Sequence, residues 1–193
     1  MNQLEEAVLL ATIDEGGNNP VQKFSTIHIA AACGVSEFLI YEHFVSRQKL
    51  LVEADDYVAQ HFRAQVLALT EKHLPYPELF SALLDYQLAH PSWNGFSLNY
   101  GHFFPRYGLD KAEEEHFHEL VLETGRRLFQ AYQFNLDDFG AYQVFCFFLR
   151  ELFSFAQLLI SKEIIDTPAT RLNQANLVLL GMGQFWKSPA KAA

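Results

Sequence analysis

Residues 29–44, Ile-Ala-Ala-Ala-Cys-Gly-Val-Ser-Glu-Phe-Leu-Ile-Tyr-Glu-His-Phe, constrain this chain more than any other stretch. They read as two short helices separated by a tight corner at Gly34. Ser25 or Thr26 supplies an N-cap for the first, because a short hydroxyl accepts an orphan backbone N–H. Ile29, Ala30 and Cys33 recur at helical spacing and form one apolar stripe. Gly34 then stands where a helix end needs a residue tolerant of positive φ. Val35 fills the angle between the helices, and Ser36 caps the second, which runs to about Phe44. Leu39, Ile40 and Phe44 face back into a small core. Glu37, Phe38, Tyr41 and His43 lie elsewhere on that helix, whose N-terminal residues are the ones best placed to reach a DNA major groove. The bland alternative is a helical hairpin with no DNA role.

The next segment, Val45-Ser46-Arg47-Gln48-Lys49-Leu50-Leu51, opens a long helix capped by Ser46. Arg47 near a helix N-terminus suits an anion. Helical spacing recurs nearly everywhere after that, and no alternating run closed by a hairpin turn suggests a strand. The first helix is expected over 2–15, ended by Gly16-Gly17-Asn18-Asn19-Pro20. The long helix is expected from Ser46 to about His73, with Leu50, Leu51, Ala54, Val58, Phe62 and Val66 on one side, stopped by Pro75-Tyr76-Pro77. Further helices are expected over 78–89, 92–104, 109–134, from an Asn135 cap to about Ile165, and from Pro168 to about 187. The expected division is a head of residues 1–52, a helical body of 53–187 and a disordered tail of 188–193.

Composition bounds the partners. The 193 residues are 50% hydrophobic, enough for a sizeable core, and the net charge is −9, which argues against a surface coated in basic patches. Within 20–52, however, Lys23, Arg47 and Lys49 outnumber Glu37 and Glu42. Cys33 and Cys146 each sit in an apolar helical pattern and read as buried free thiols of a reducing compartment, with a redox pair as the rarer alternative. The acidic start shows no leader, and no run of about 18 apolar residues suggests a membrane span, so a cytoplasmic protein is expected. The eight histidines are scattered, and the sequence has no His-Glu-x-x-His, Cys-x-x-Cys, glycine-rich phosphate loop or Gly-x-Ser-x-Gly. No catalytic residue, metal site or cofactor is expected, and an enzyme is disfavoured.

The pattern Ile-Ala-x-x-Cys-Gly-Val-Ser, then Ile-Tyr-x-His-Phe, then Ser-Arg-x-x-Leu-Leu resembles the helix-turn-helix head of the TetR family of transcriptional regulators. The resemblance implies an all-α, nine-helix fold: a three-helix DNA-binding head on a helical ligand-binding and dimerisation domain. It implies a double-stranded operator as partner, contacted by Ser25, Thr26, Ser36, Glu37, Phe38, Tyr41, His43, Arg47 and Lys49. It implies a homodimer joined through the last two helices. The penultimate helix fits, since Gln143, Arg150, Ser154, Gln157 and Ser161 form only a thin polar stripe on an otherwise apolar rod. Phe148, Leu152, Phe155, Leu159, Leu177 and Leu180 are the expected interface residues. The resemblance also implies a small-molecule effector held by the middle helices. Trp93, Phe96, Tyr100 and Phe103 share one helix face, and with Tyr86, Phe148 and Glu151 they are the expected ligand residues for an apolar or aromatic molecule. The commoner fate of such a stripe is plain core.

The head departs from the family at Ser36-Glu37-Phe38-Leu39, where small and basic residues are usual, and again at Glu42. A carboxylate repels phosphate, although it accepts from cytosine N4. Two functions therefore stand open. One is an operator-binding regulator, in the sense of repressor. The other is a ligand-binding or interaction protein that keeps the scaffold with weak or lost DNA binding.

Overall fold

The computed structural model describes residues 2–19, 23–100, 111–132 and 136–184. The described residues are helical throughout their regular elements: α1 (Gln3–Asn18), α2 (Thr26–Cys33), α3 (Glu37–Phe44), α4 (Arg47–Thr70), α5 (Tyr76–Ala89), α6 (Pro91–Tyr100), α7 (Lys111–Ala131), α8 (Asp138–Ile160) and α9 (Pro168–Gln184). The expected all-α, nine-helix architecture is the one observed. The tail at 188–193 lies outside the described residues.

Two compact units share these helices, Met1–Phe62 with His90–Leu109, and Arg63–Ala89 with Asp110–Ala193. The first holds α1, α2, α3, residues 47–62 of α4, and α6. Its core brings together Val8, Leu9 and Ile13 of α1, Ile29 of α2, Ile40 and Phe44 of α3, Leu50, Ala54 and Val58 of α4, and Phe96 of α6. It is thus larger than a head of residues 1–52, because α6 packs along α1.

That packing corrects the expected end of the first helix. Gly16 and Gly17 do not stop α1, which continues to Asn18. They are there for close approach. A Cβ on Gly17 would lie 2.1 Å from the Ser92 carbonyl oxygen, one on Gly95 would lie 2.4 Å from the Gly17 carbonyl oxygen, and one on Gly16 would lie 2.6 Å from the Phe96 ring. Helix propensity disfavours glycine by up to about 1 kcal/mol, and here the tertiary contact prevails. The start of α1 is closed by a capping box: the Asn2 side chain accepts from the Glu5 N–H at 2.9 Å, and the Glu5 carboxylate accepts from the Asn2 N–H at 2.8 Å.

The second unit is organised around α8, which packs on α5, α7 and α9. Phe148 and Leu152 are fully buried. Phe80 of α5 meets Phe148 edge-on with centroids 6.2 Å apart, and Phe145 stacks beside Phe148 at the same separation. The N-cap of α8 is Asp137, whose side chain accepts from the Gly140 N–H at 2.8 Å; the expected cap, Asn135, lies outside the described residues. The helix ends at Ile160 rather than Ile165, because Lys162 turns left-handed at φ 61°. By length and composition α8 is apolar enough to cross a membrane, but half of its apolar window is buried inside the protein, as in the core helix of a water-exposed fold. Arg171 of α9 pairs with Asp85 of α5 and with Asp166, each at 2.6 Å. Its guanidinium holds the Asp166 carboxyl below the usual carboxylate range.

The glycine crossing makes a prediction. Gly17→Ala and Gly95→Ala each force a methyl into backbone and should destabilise by about 1–3 kcal/mol, although alanine is the better helix former. Urea midpoints equal to or above that of the parent chain would contradict the packing described.

Candidate nucleic-acid interface

The helical corner forms as its residues dictate. Ser25 caps α2 and accepts from the His28 N–H at 3.4 Å. Gly34 takes φ 67°, ψ 29°, and the Val35 N–H returns to the Ala30 carbonyl at 3.0 Å, closing α2 in the left-handed manner that favours glycine. Ser36 caps α3, accepting from the Leu39 N–H at 3.2 Å. Ile40 and Phe44 are buried, whereas Phe38 is 77% exposed on the opposite side. The outward side of α3 is therefore open, and its largest open side chain is aromatic.

The joint to α4 is tight. The Ser46 N–H bonds the Phe44 carbonyl at 2.6 Å, across Val45 at φ 62°, ψ −42°. That is the rare, strained form of the three-residue turn, and it is held by a β-branched residue that is otherwise exposed. Ser46 then caps α4, accepting from the Lys49 N–H at 3.1 Å. Arg47 lies over the Phe24 ring, 5.0 Å from its centroid, so it is held in place by a cation–π contact.

Thr26, Tyr41 and His43, expected at DNA, are engaged within the protein, and so is His28, which was not among the expected contacts. Tyr41 donates from its hydroxyl to Thr26 Oγ1 at 3.2 Å, and the Thr26 hydroxyl donates to the Glu37 carboxylate. Thr26 is buried and Glu37 half-buried. His43 Nδ1 stands 3.4 Å from the Glu5 carboxylate, and His28 Nδ1 stands 3.2 Å from Glu15. The Asn2 N–H and, secondarily, His43 hold the Glu5 carboxyl below its ordinary range. Glu15 also accepts from the Ser25 N–H at 3.2 Å. Sequence reading missed these pairs; the one signal available was the i, i+4 spacing of Glu37 and Tyr41, which places both on one face of α3.

The expected ligand residues are divided between the two units. Trp93, Phe96 and Tyr100 belong to the first unit. There Phe96 is fully buried and stacks on Tyr100 with centroids 5.2 Å apart, and half-buried Trp93 sits among Tyr57, His61 and His90. Burial pushes the Tyr100 hydroxyl up from its ordinary value. Tyr86, Phe148 and Glu151 belong to the second unit, where Phe148 is core and Glu151 meets Arg150 at 3.3 Å. Phe103 lies outside the described residues. Phe96 and Phe148 are packed as core, with no accessible surface in either. The second unit does carry an open groove of about 620 Å³ between α5 and the start of α9, lined by Pro77, Ala82, Asp85, Asp166, Arg171 and Leu172 among others. None of the expected residues lines it.

The expected interface set divides as well. Phe148, Leu152, Phe155 and Leu159 are buried within the single chain, so they are corrected from dimer contacts to subunit core. Leu177 and Leu180, a turn apart on α9, are 63% and 67% exposed. Gly181 receives the Phe147 ring of α8, which a Cβ would meet at 2.6 Å. Cys33 and Cys146 are free; burial pushes both thiols up, which leaves them poor nucleophiles. Among the described residues no group of three His, Cys, Asp or Glu is placed to hold a metal ion.

No protein-family model matches the sequence, and no curated protein sequence matches it at a significant level. Solved structures do match. A TetR family transcription regulator from Marinobacter aquaeolei VT8 superposes with a TM-score of 0.70 at 15% identity, covering 91% of this chain and 93% of that one. A proposed TetR-family regulator from Shewanella sp. PV-4 gives 0.64 at 19%, covering 96% and 97%. NalD, the secondary repressor of the MexAB-OprM multidrug efflux pump in Pseudomonas aeruginosa, gives 0.52 at 16%, covering 95% of each. The chain therefore has the fold of the TetR-family regulators over nearly its whole length.

The strained joint makes its own prediction. Val45→Gly removes little packing, since Val45 is exposed, and relieves backbone strain. It should raise the unfolding free energy by roughly 1 kcal/mol, the strain of a positive-φ residue less the chain entropy of glycine. A lower denaturation midpoint would show that the turn is not strained.

Proposed function

We propose that this chain is a transcription regulator of TetR type: a homodimer that binds double-stranded operator DNA, represses, and changes its DNA affinity when a small apolar or aromatic effector binds. The observation that carries the reading is the α2–α3 corner. A left-handed Gly34, a Ser36 cap and an inward Ile40 and Phe44 leave the Phe38 side of α3 open, in a chain that shares the fold of such regulators over 91% of its length. A short helix presented this way fits a major groove. The N-termini of α2 and α4, with Arg47 beside the latter, are groups of the kind that bind phosphate oxygens, which supports the reading. The effector acts by binding one arrangement of the protein better than the other, and it shifts DNA affinity only by that difference. Such a protein works in the cytoplasm and needs no catalytic group.

The reading is tested by gel shift with the DNA flanking its own gene, across a salt series. Retention that survives unrelated competitor DNA is expected. Arg47→Ala should weaken binding several-fold and make the logarithmic salt slope shallower by about 0.9 per head, one phosphate contact. An unchanged slope would remove Arg47 from the interface.

The dimer is assigned to the exposed face of α9. A large apolar surface in water marks an interaction site, and Leu172, Leu177 and Leu180 are its members. Leu177→Glu with Leu180→Glu should give a folded monomer by light scattering, while a folded dimer would move the interface elsewhere. Phe148→Glu is not an assembly test, since it buries an unpaired carboxylate in the core.

A second reading rests on the acidic α3. Glu37 and Glu42 on the helix that would meet DNA favour a ligand-binding or interaction protein without operator binding. Absence of any retained duplex at low salt would support it.

A further inference from the structure

Thr26 and Tyr41 carry two hydroxyls that converge between the first turn of α2 and the face of α3. Each hydroxyl has one proton, and both are committed. The Tyr41 proton goes to Thr26 Oγ1 at 3.2 Å, and the Thr26 proton goes to Glu37. The chain of donors ends on a carboxylate on the face of α3 that the regulator reading gives to DNA. Carboxylate and phosphate oxygens are the same kind of acceptor for these hydroxyls, and both are favoured by the positive end of a helix such as α2. Two anions cannot share one donor pair without strong repulsion. Glu42, the other acid of α3, is exposed and shows no such tie.

We propose that Glu37 is an internal stand-in for a DNA phosphate: its carboxylate occupies the Thr26–Tyr41 hydroxyl pair, and duplex DNA must displace it to use that pair. This rests on the operator-binding reading and adds the restraint that sets its strength. Binding to any duplex carries the cost of breaking the internal contact. Indiscriminate backbone binding is thereby suppressed, and only a sequence with enough further contacts holds the protein. The device suits a chain of net charge −9, in which the contacts available to a phosphate are few.

The test is a double-mutant cycle on the full chain: parent, Glu37→Ala, Thr26→Val and the double variant, with Glu42→Ala as the charge control. The probes are a labelled duplex selected from a random-sequence pool by the parent protein, and a random-sequence duplex, read by fluorescence anisotropy over about 50–200 mM salt. Glu37→Ala should bind both about tenfold tighter and steepen the logarithmic salt slope by about 0.9 per head. The gain should vanish in the Thr26→Val background, and Glu42→Ala should give a clearly smaller one. Should Glu37→Ala prove poorly folded by thermal melt, Glu37→Gln keeps an acceptor for Thr26 without the charge and should show a partial gain.

An equal gain from Glu42→Ala, or a gain that survives Thr26→Val, would reduce the effect to long-range charge and overturn the proposal. A loss of affinity in Glu37→Ala would make Glu37 a base reader and overturn it too. Parent binding with no change in Glu37→Ala sinks this inference alone. If neither the parent nor Glu37→Ala binds either duplex at the lowest salt, the regulator reading falls and the inference falls with it.

Discussion

The backbone-on-backbone crossing of α1 and α6 is the contact on which the first unit depends. Gly17 and Gly95 let the two helices approach to a distance that any side chain would prevent, and Gly16 lets the Phe96 ring lie close against α1. With Phe96 seated, the interior shared by Ile13, Ile29, Ile40 and Leu50 is closed, each of them at or below 1% exposed. These four residues come from four helices. Burial of that kind is worth about 1.5–3 kcal/mol for each large apolar side chain, and none of the short helices would persist alone at eight residues. The helical corner is a fixed object because the core beneath it is complete.

On that rigid base the surface chemistry is economical and self-contained. The polar groups that a DNA-binding head would direct outward are engaged inside the protein: Thr26 and Tyr41 with Glu37, His43 with Glu5, His28 with Glu15, and Arg47 over Phe24. The exposed ion pairs contribute little to stability, typically under 1 kcal/mol. Their larger effect is on what remains available to a partner. Donors engaged in this way, and the acids they meet, leave a muted electrostatic footprint on that surface.

The second unit obeys a different constraint. The apolar excess of α8 is absorbed within one chain by α5, α7 and α9, through Phe80, Phe145, Phe148 and Phe155. Leu172, Leu177 and Leu180 of α9 remain exposed, as do Phe139 at the start of α8 and Ile165. A count of apolar residues identifies α8 as the helix needing cover, while the cover itself comes from its own subunit.

Much of this protein follows from the chain alone. The helical class, the corner at Gly34, the caps at Ser36 and Ser46 and the buried side of α3 are set within four or five residues of sequence, because hydrogen bonds and backbone angles act at that range. The role of Gly16 and Gly17, the inward turn of Phe148 and Leu152, the burial of Phe96, and the hydrogen-bond chain from Tyr41 through Thr26 to Glu37 were decided by the tertiary structure. Each depends on a residue contributed by another helix. A side chain's exposure and its donors' partners are properties of what packs against it, and periodicity along one helix carries no information about which neighbour that is.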